Sequence, residues 1–164
     1  AEEWQAIGSP LIIGAEKKLF PPADEAPWPK SATPYRFLNS GAIIATPADL
    51  LKLMEALAPE SLPNDSETNG VAFHSNDQAW LQALFLKQPI PMLLDTECRF
   101  IWNLCDVPIT SASFAINDAE VMNLDTNTFP GVIHANGSSK EGEIFLEILK
   151  SLEPKSDLKV CATL

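Results

Sequence analysis

Along the chain, short apolar runs alternate with stretches of helical period. Leu11-Ile12-Ile13-Gly14 is too short for a helix and reads as a buried strand, with Ala15 and Glu16 at its exit. Pro21, Pro22, Pro27, Pro29 and Pro34 make the following segment a long irregular loop. From Phe37 to Ala45, apolar residues flank a polar Asn39-Ser40-Gly41 step. Thr46-Pro47-Ala48-Asp49 then opens a helix, with threonine as cap, proline at the first helical position and an acid three residues after the cap. Leu50, Leu51, Leu53, Met54 and Leu57 are expected to form its buried side, and Pro59 to stop it.

Ser75 and Gln78, at capping-box spacing, signal a second helix that runs through Trp80 and Leu84 to Leu86. Met92–Asp95 and Phe100–Trp102 read as two short strands flanking a turn. Ser111–Thr128 is polar and weakly patterned and receives no element. After a Pro-Gly break, Val132-Ile133 reads as a short buried strand ending at His134, and Glu141–Leu152 as a last amphipathic helix. The alternation of strands and helices predicts an α/β fold. In it, helices 47–58 and 76–86 pack on a sheet containing Leu11–Ile13, Ala42–Ala45 and Val132–Ile133.

Composition narrows this picture. The 164 residues, 46% hydrophobic and 20% charged, suffice for one domain with a real core. No apolar run approaches the roughly 20 residues that span a bilayer. A net charge of −11 argues against a nucleic-acid partner, and leaves an anionic nucleotide only a metal bridge or a locally basic pocket. Cys98, Cys105 and Cys161 show neither zinc spacing nor a Cys-x-x-Cys pair, so the redox compartment and any Cys98–Cys105 pairing stay open. Asn64 and Asn136 each head a glycosylation triplet, which matters only in a secreted chain. The acidic start without an initiator methionine or signal peptide leads to the expectation that the chain is cut from something longer. Oligomeric state is open.

Three polar clusters interrupt apolar elements. Asn39-Ser40-Gly41 offers an amide and a hydroxyl beside a glycine, suited to sugar hydroxyls; the plainer account is a bulged strand with close packing. In Asn76-Asp77-Gln78, Asp77 is either a base or orienter of an acceptor hydroxyl, with Gln78 beside it, or simply a carboxylate stabilised at a helix start. Glu16 is a secondary candidate for the same cleft. His134-x-x-Gly137-x-x-Lys140 suits a metal-bound diphosphate: imidazole for the metal, glycine for close approach, lysine for charge. The plainer account there is a strand, an Asn-Gly turn and a structural histidine.

Phe37-Leu38-Asn39-Ser40-Gly41, Asn76-Asp77-Gln78 and the stretch Asn127–Pro130 through Ile133–Gly137 resemble, in order and separation, the glycosyltransferase domain of procollagen lysyl hydroxylases. Ile13–Lys17 resembles that domain's Ser-Ala-Glu strand end, and Leu94–Cys98 with Phe100–Leu104 its strand pair. The skeleton is also similar to that of glycogenin-like transferases. The resemblance implies a GT-A-like mixed sheet flanked by helices, of which residues 1–164 would be the C-terminal, acceptor-side portion. It implies manganese, a UDP-sugar donor, and a protein or glycan hydroxyl acceptor such as hydroxylysine. By the same resemblance His134 would bind the metal, and Asn136, Gly137 and Lys140 would lie at the diphosphate. Asn39, Ser40 and Gly41 would meet the donor sugar, and Asp77 and Gln78 would be catalytic. The secretory pathway, in the endoplasmic-reticulum lumen, would be the place.

The chain departs from that family in three ways: Leu19-Phe20-Pro21 replaces Cys-Trp-Pro, Asn76 replaces the first of two aspartates, and no Asp-x-Asp motif occurs. These 164 residues alone are therefore expected to bind UDP-sugar weakly and to transfer none. Competing classes are a non-catalytic sugar- or protein-binding module on the same fold, and a hydrolase using Asp77 with Glu16. A shared cleft for His134 and Asp77, with Asn39 between or beside them, is the geometric expectation.

Overall fold

The computed structural model describes residues 2–8, 10–57, 77–104, 113–117, 120–135 and 142–152. In chain order the elements are α1 (Glu2–Ala6), β1 (Ile12–Glu16), β2 (Phe37–Ile44), α2 (Pro47–Ala56), α3 (Asp77–Lys87), β3 (Leu93–Asp95), β4 (Ile101–Leu104), β5 (Phe114–Asn117), β6 (Glu120–Asn123), β7 (Val132–Ala135) and α4 (Glu143–Leu152).

All five residues of β1 are buried, which explains a near-continuous apolar run instead of an alternating one. β2 lies antiparallel on one side of it. On the other side β3 runs parallel to Ile12–Gly14, and β4 takes over at Ala15, opposite Trp102. β7 extends the sheet parallel to β4, with Asn103 opposite His134. The expected sheet of Leu11–Ile13, Ala42–Ala45 and Val132–Ile133 thus forms around one axis.

The polar step in β2 leaves the ladder. Ile13 pairs with Ile43, but Ala15 pairs with Leu38, so Gly14 alone faces the four residues Asn39–Ala42. The strand bulges outward there, as β-bulges do beside functional sites.

The Thr46 cap forms as expected, its Oγ1 accepting from the Asp49 backbone N–H at 3.1 Å. The buried side of α2 is narrower than its leucines suggest. Leu53 is buried, whereas Leu50, Leu51 and Met54 are 43%, 58% and 63% exposed. The helix meets the core along Leu53, Ala56 and Leu57 only. The Ser75 cap of α3 and Pro59 lie outside the described residues.

Ser111–Thr128, given no element from sequence, contains β5 and β6, paired antiparallel from Phe114↔Asn123 to Asn117↔Glu120. Phe114 and Val121 are buried and Ile116 packs against the core, so a few apolar anchors suffice for this short ribbon. The ribbon is tied to β4 through Tyr35. Its hydroxyl accepts from Trp102 Nε1 at 2.8 Å and Asn123 Nδ2 at 3.3 Å, and donates to Asp125 Oδ2 at 3.3 Å. Lys17 holds the same Asp125 oxygen at 2.6 Å, and burial raises the Tyr35 pKa above the ordinary phenol range. Cys98 is a free buried thiol with a pKa raised by burial; Cys105 lies outside the described residues.

Both strands predicted around the 96–99 turn form, and the Asp95 carboxylate organises their connection. Oδ1 accepts from Arg99 N at 3.0 Å, and Oδ2 from Phe100 N and Ile101 N, each at 2.8 Å. Replacing Asp95 with alanine strands these donors, and chemical denaturation at pH 7 is expected to show a loss of about 2–3 kcal/mol. Burial raises the Asp95 pKa despite those bonds, so the protonated form favours the fold. That contribution is full below the unfolded carboxylate pKa and is lost as pH rises through the folded one. The stability gap between wild type and Asp95→Ala should therefore widen as pH falls from neutral, and a constant or shrinking gap would contradict this.

Candidate active site

Glu16 ends β1 with only 2% exposure, and a carboxylate removed from water needs hydrogen-bond donors. Among the described residues, two amides supply them. Asn39 Nδ2 lies 3.0 Å from Glu16 Oε2, and Gln78 Nε2 lies 2.6 Å from Oε1. The amides also hold each other, Asn39 Nδ2 donating to Gln78 Oε1 at 3.1 Å. Gln78 Nε2 reaches the Phe20 carbonyl at 2.6 Å, and Gln82, one turn further along α3, bridges the carbonyls of Phe20 (2.9 Å) and Leu38 (3.1 Å). Inside the bulge, Asn39 Oδ1 accepts from Gly41 N at 2.9 Å.

The other half of the site stands on β4 and β7. Asn103 Nδ2 donates to the Ala15 carbonyl at 3.0 Å, and its Oδ1 lies 2.9 Å from His134 Nδ1. The imidazole rests against Gly41: a Cβ there would fall 2.6 Å from Nε2 and 2.8 Å from Nδ1. The bulge therefore joins both halves, Asn39 meeting Glu16 and Gln78 while Gly41 meets His134. The halves gather at the carboxyl ends of parallel β1, β4 and β7, the usual ligand end of such sheets.

Asn39 and Gln78 are buried, Ser40 is half-buried and Gly41 exposed. Asp77 opens α3 as an exposed residue, and it is its neighbour Gln78 that meets Glu16. His134 lies within β7, which continues to Ala135. Asn136, Gly137, Lys140 and Asn76 lie outside the described residues. Sequence reading missed Asn103 and Gln82. An amide inside the apolar run Ile101–Leu104 was the available sign of Asn103; nothing in the helix pattern singles out Gln82. Phe20, at the Leu19-Phe20-Pro21 departure, keeps an exposed ring beside this network.

His134 can serve as one ligand of a cation. Among the described residues no group of three or more His, Cys, Asp or Glu side chains gathers around a common point. A hard ion such as manganese prefers several oxygen donors, which these residues do not assemble by themselves. A separate cleft of about 610 Å³, lined by Leu11, Asp49, Lys52, Phe85 and Met92 among others, lies toward the amino ends of β1 and β3, away from this site.

A curled mixed sheet flanked by helices, with its polar site at the strand ends, defines a GT-A-like α/β domain. The chain belongs to the family described as the PLOD GT domain, which matches residues 1–154. It is thus a glycosyltransferase-type domain. Among curated relatives, procollagen-lysine,2-oxoglutarate 5-dioxygenase 1 of Rattus norvegicus is 30% identical over 146 residues. Its counterparts in Bos taurus and Homo sapiens are 30% and 29% identical over the same length. The match covers 85% of this chain but 18% of each relative.

Two substitutions separate the interior network from its exposed neighbour. Gln78→Leu removes a donor from a buried carboxylate and should cost about 1–3 kcal/mol in denaturant melts, whereas Asp77→Ala should stay within about 0.5 kcal/mol. Equal costs would refute the assignment. Gly41→Ala pushes the His134 ring off the bulge, so His134 side-chain resonances should move; unchanged resonances would show that the ring does not pack there.

Proposed function

We propose that this chain forms the acceptor-side part of a metal-dependent site that moves a hexose, glucose or galactose, from a UDP-sugar to a hydroxyl. The acceptor in this reading is hydroxylysine or a sugar already attached to it, and the setting is the secretory pathway. The observation that carries it is Glu16, a buried carboxylate fixed between Asn39 and Gln78 at the same strand ends that present His134. Such a group, held without freedom to relax, suits the positioning and electrostatic work of a transfer site.

The roles divide by geometry. His134 would be one ligand of the divalent metal, which when bound supplies positive charge for the diphosphate. Asn39 holds Glu16 and shapes the bulge, which leaves Ser40 and the open edge at Gly41 to face the donor sugar. Asp77, exposed at the start of α3, would orient the acceptor hydroxyl. Asn136, Gly137 and Lys140 would meet the diphosphate, the lysine answering local anionic charge in a protein of net charge −11. The oxygen ligands that manganese needs would come from residues other than the described ones.

Calorimetric titration of UDP and UDP-hexose into the purified 164-residue chain, with manganese or with chelator, tests this. Binding of about 1 mM or weaker is expected, strengthened by manganese and abolished by His134→Ala, with no hexose transferred. Micromolar manganese-dependent binding would show that the chain builds a complete metal site itself. Binding indifferent to both manganese and His134→Ala would sink the reading.

A further inference from the structure

We infer that Asn103 is a positioning residue that fixes His134 in its Nδ1–H tautomer and so places the imidazole lone pair on Nε2. The inference deepens the proposed function and rests on it for what Nε2 then binds.

A backbone carbonyl can only accept, so the Ala15 oxygen 3.0 Å from the Asn103 amide determines which end of that amide is nitrogen. The opposite end must be oxygen, and that oxygen lies 2.9 Å from His134 Nδ1. An amide oxygen also only accepts, so Nδ1 carries the proton. A neutral imidazole has a single N–H, which places the lone pair on Nε2.

The amide has little freedom to turn over. Asn103 is 1% exposed and cannot exchange partners with bulk water. A flip would set two oxygens against each other at Ala15. Its place is cleared by Gly14, where a Cβ would fall 2.7 Å from Ile101 Cγ2 and 3.3 Å from Asn103 Cγ. Asn103 and His134 face each other directly across the parallel ladder, so the bond is short and local. The ring then rests on Gly41, which sets its tilt. Imidazole ligands are commonly oriented in this way, through a hydrogen bond made by the second ring nitrogen.

The test is nitrogen-15 NMR of the imidazole at pH 8.5, above the ordinary histidine range. A His74→Gln background leaves His134 as the single histidine. With Asn103 present, the proton should sit on Nδ1. Asn103→Leu, close in volume but without an acceptor, should move the pattern toward the Nε2–H form. Asn103→Asp keeps an acceptor at Nδ1 and should retain the original pattern, although it loses the Ala15 bond. An Nε2–H ring with Asn103 in place, or a pattern unmoved in Asn103→Leu, would overturn the inference. Adding manganese then probes the other reading separately. Broadening of the His134 signals supports metal ligation, whereas an Nδ1–H ring left sharp by manganese would refute ligation while the tautomer assignment stands.

Discussion

A carboxylate at the end of a strand buried on both faces is the constraint on which the rest turns. Glu16 follows four apolar or small residues that are themselves covered, so it cannot reach bulk water without unpacking β1. Leaving it without donors would cost several kcal/mol. The donors come from two elements far apart in sequence, Asn39 of β2 and Gln78 of α3. Satisfying one charge thereby fixes α3 against the sheet, and Gln82 repeats the fastening one turn later through the Phe20 and Leu38 carbonyls. The helix is held by these amides as well as by its apolar contacts at Leu81 and Leu84.

Two glycines make the second half possible. Gly14 leaves room for the Asn103 amide beside β1, and Gly41 leaves room for the His134 ring beside β2. Neither has a positive φ, so the requirement is space and not backbone conformation. The bulge between Leu38 and Ile43 adds the missing reach: a regular ladder would keep Asn39–Ala42 in plane, while the excursion brings an amide to one side and a glycine edge to the other. The plainer account of this step, a bulged strand with close packing, describes the same geometry that brings the site together.

What the sequence revealed and what it hid follow from how local each cause is. The Thr46-Pro47-Asp49 start of α2 was legible because the cap hydrogen bond joins residues three apart. The strands at Ile12, Leu93, Ile101 and Val132 were legible as apolar runs between breaks, although Val132, expected to be buried, is 41% exposed at the start of β7. The buried side of α2 was not: how many of its leucines are covered depends on how wide a surface the sheet offers, and Leu51 and Met54 lie beyond it. The β5–β6 ribbon escaped because its few core contacts, at Phe114, Ile116 and Val121, sit in short strands mixed with polar residues. At the site, the motifs marked Asn39, Gly41, Gln78 and His134, but the bonds that join them run between residues 23 to 62 positions apart. No periodicity encodes such partners, which is why Asn103 went unseen and Glu16 stood second to Asp77.

Fold and site share their residues. Asn39, Gln78 and Asn103 each make a hydrogen bond that the buried structure needs and each touches a group that the proposed chemistry uses. Loss of activity after substituting any of them would not distinguish a broken network from a missing catalytic contact. Asp77 differs: it is exposed at a helix start, where a carboxylate is stabilised by the helix dipole and its removal disturbs little else. In an enzyme with the complete metal site, a loss of transfer on replacing Asp77, with the melting transition unmoved, would therefore speak about chemistry alone. The residue least embedded in the structure is the one whose role activity measurements can isolate, and the buried amides require readouts that see geometry directly.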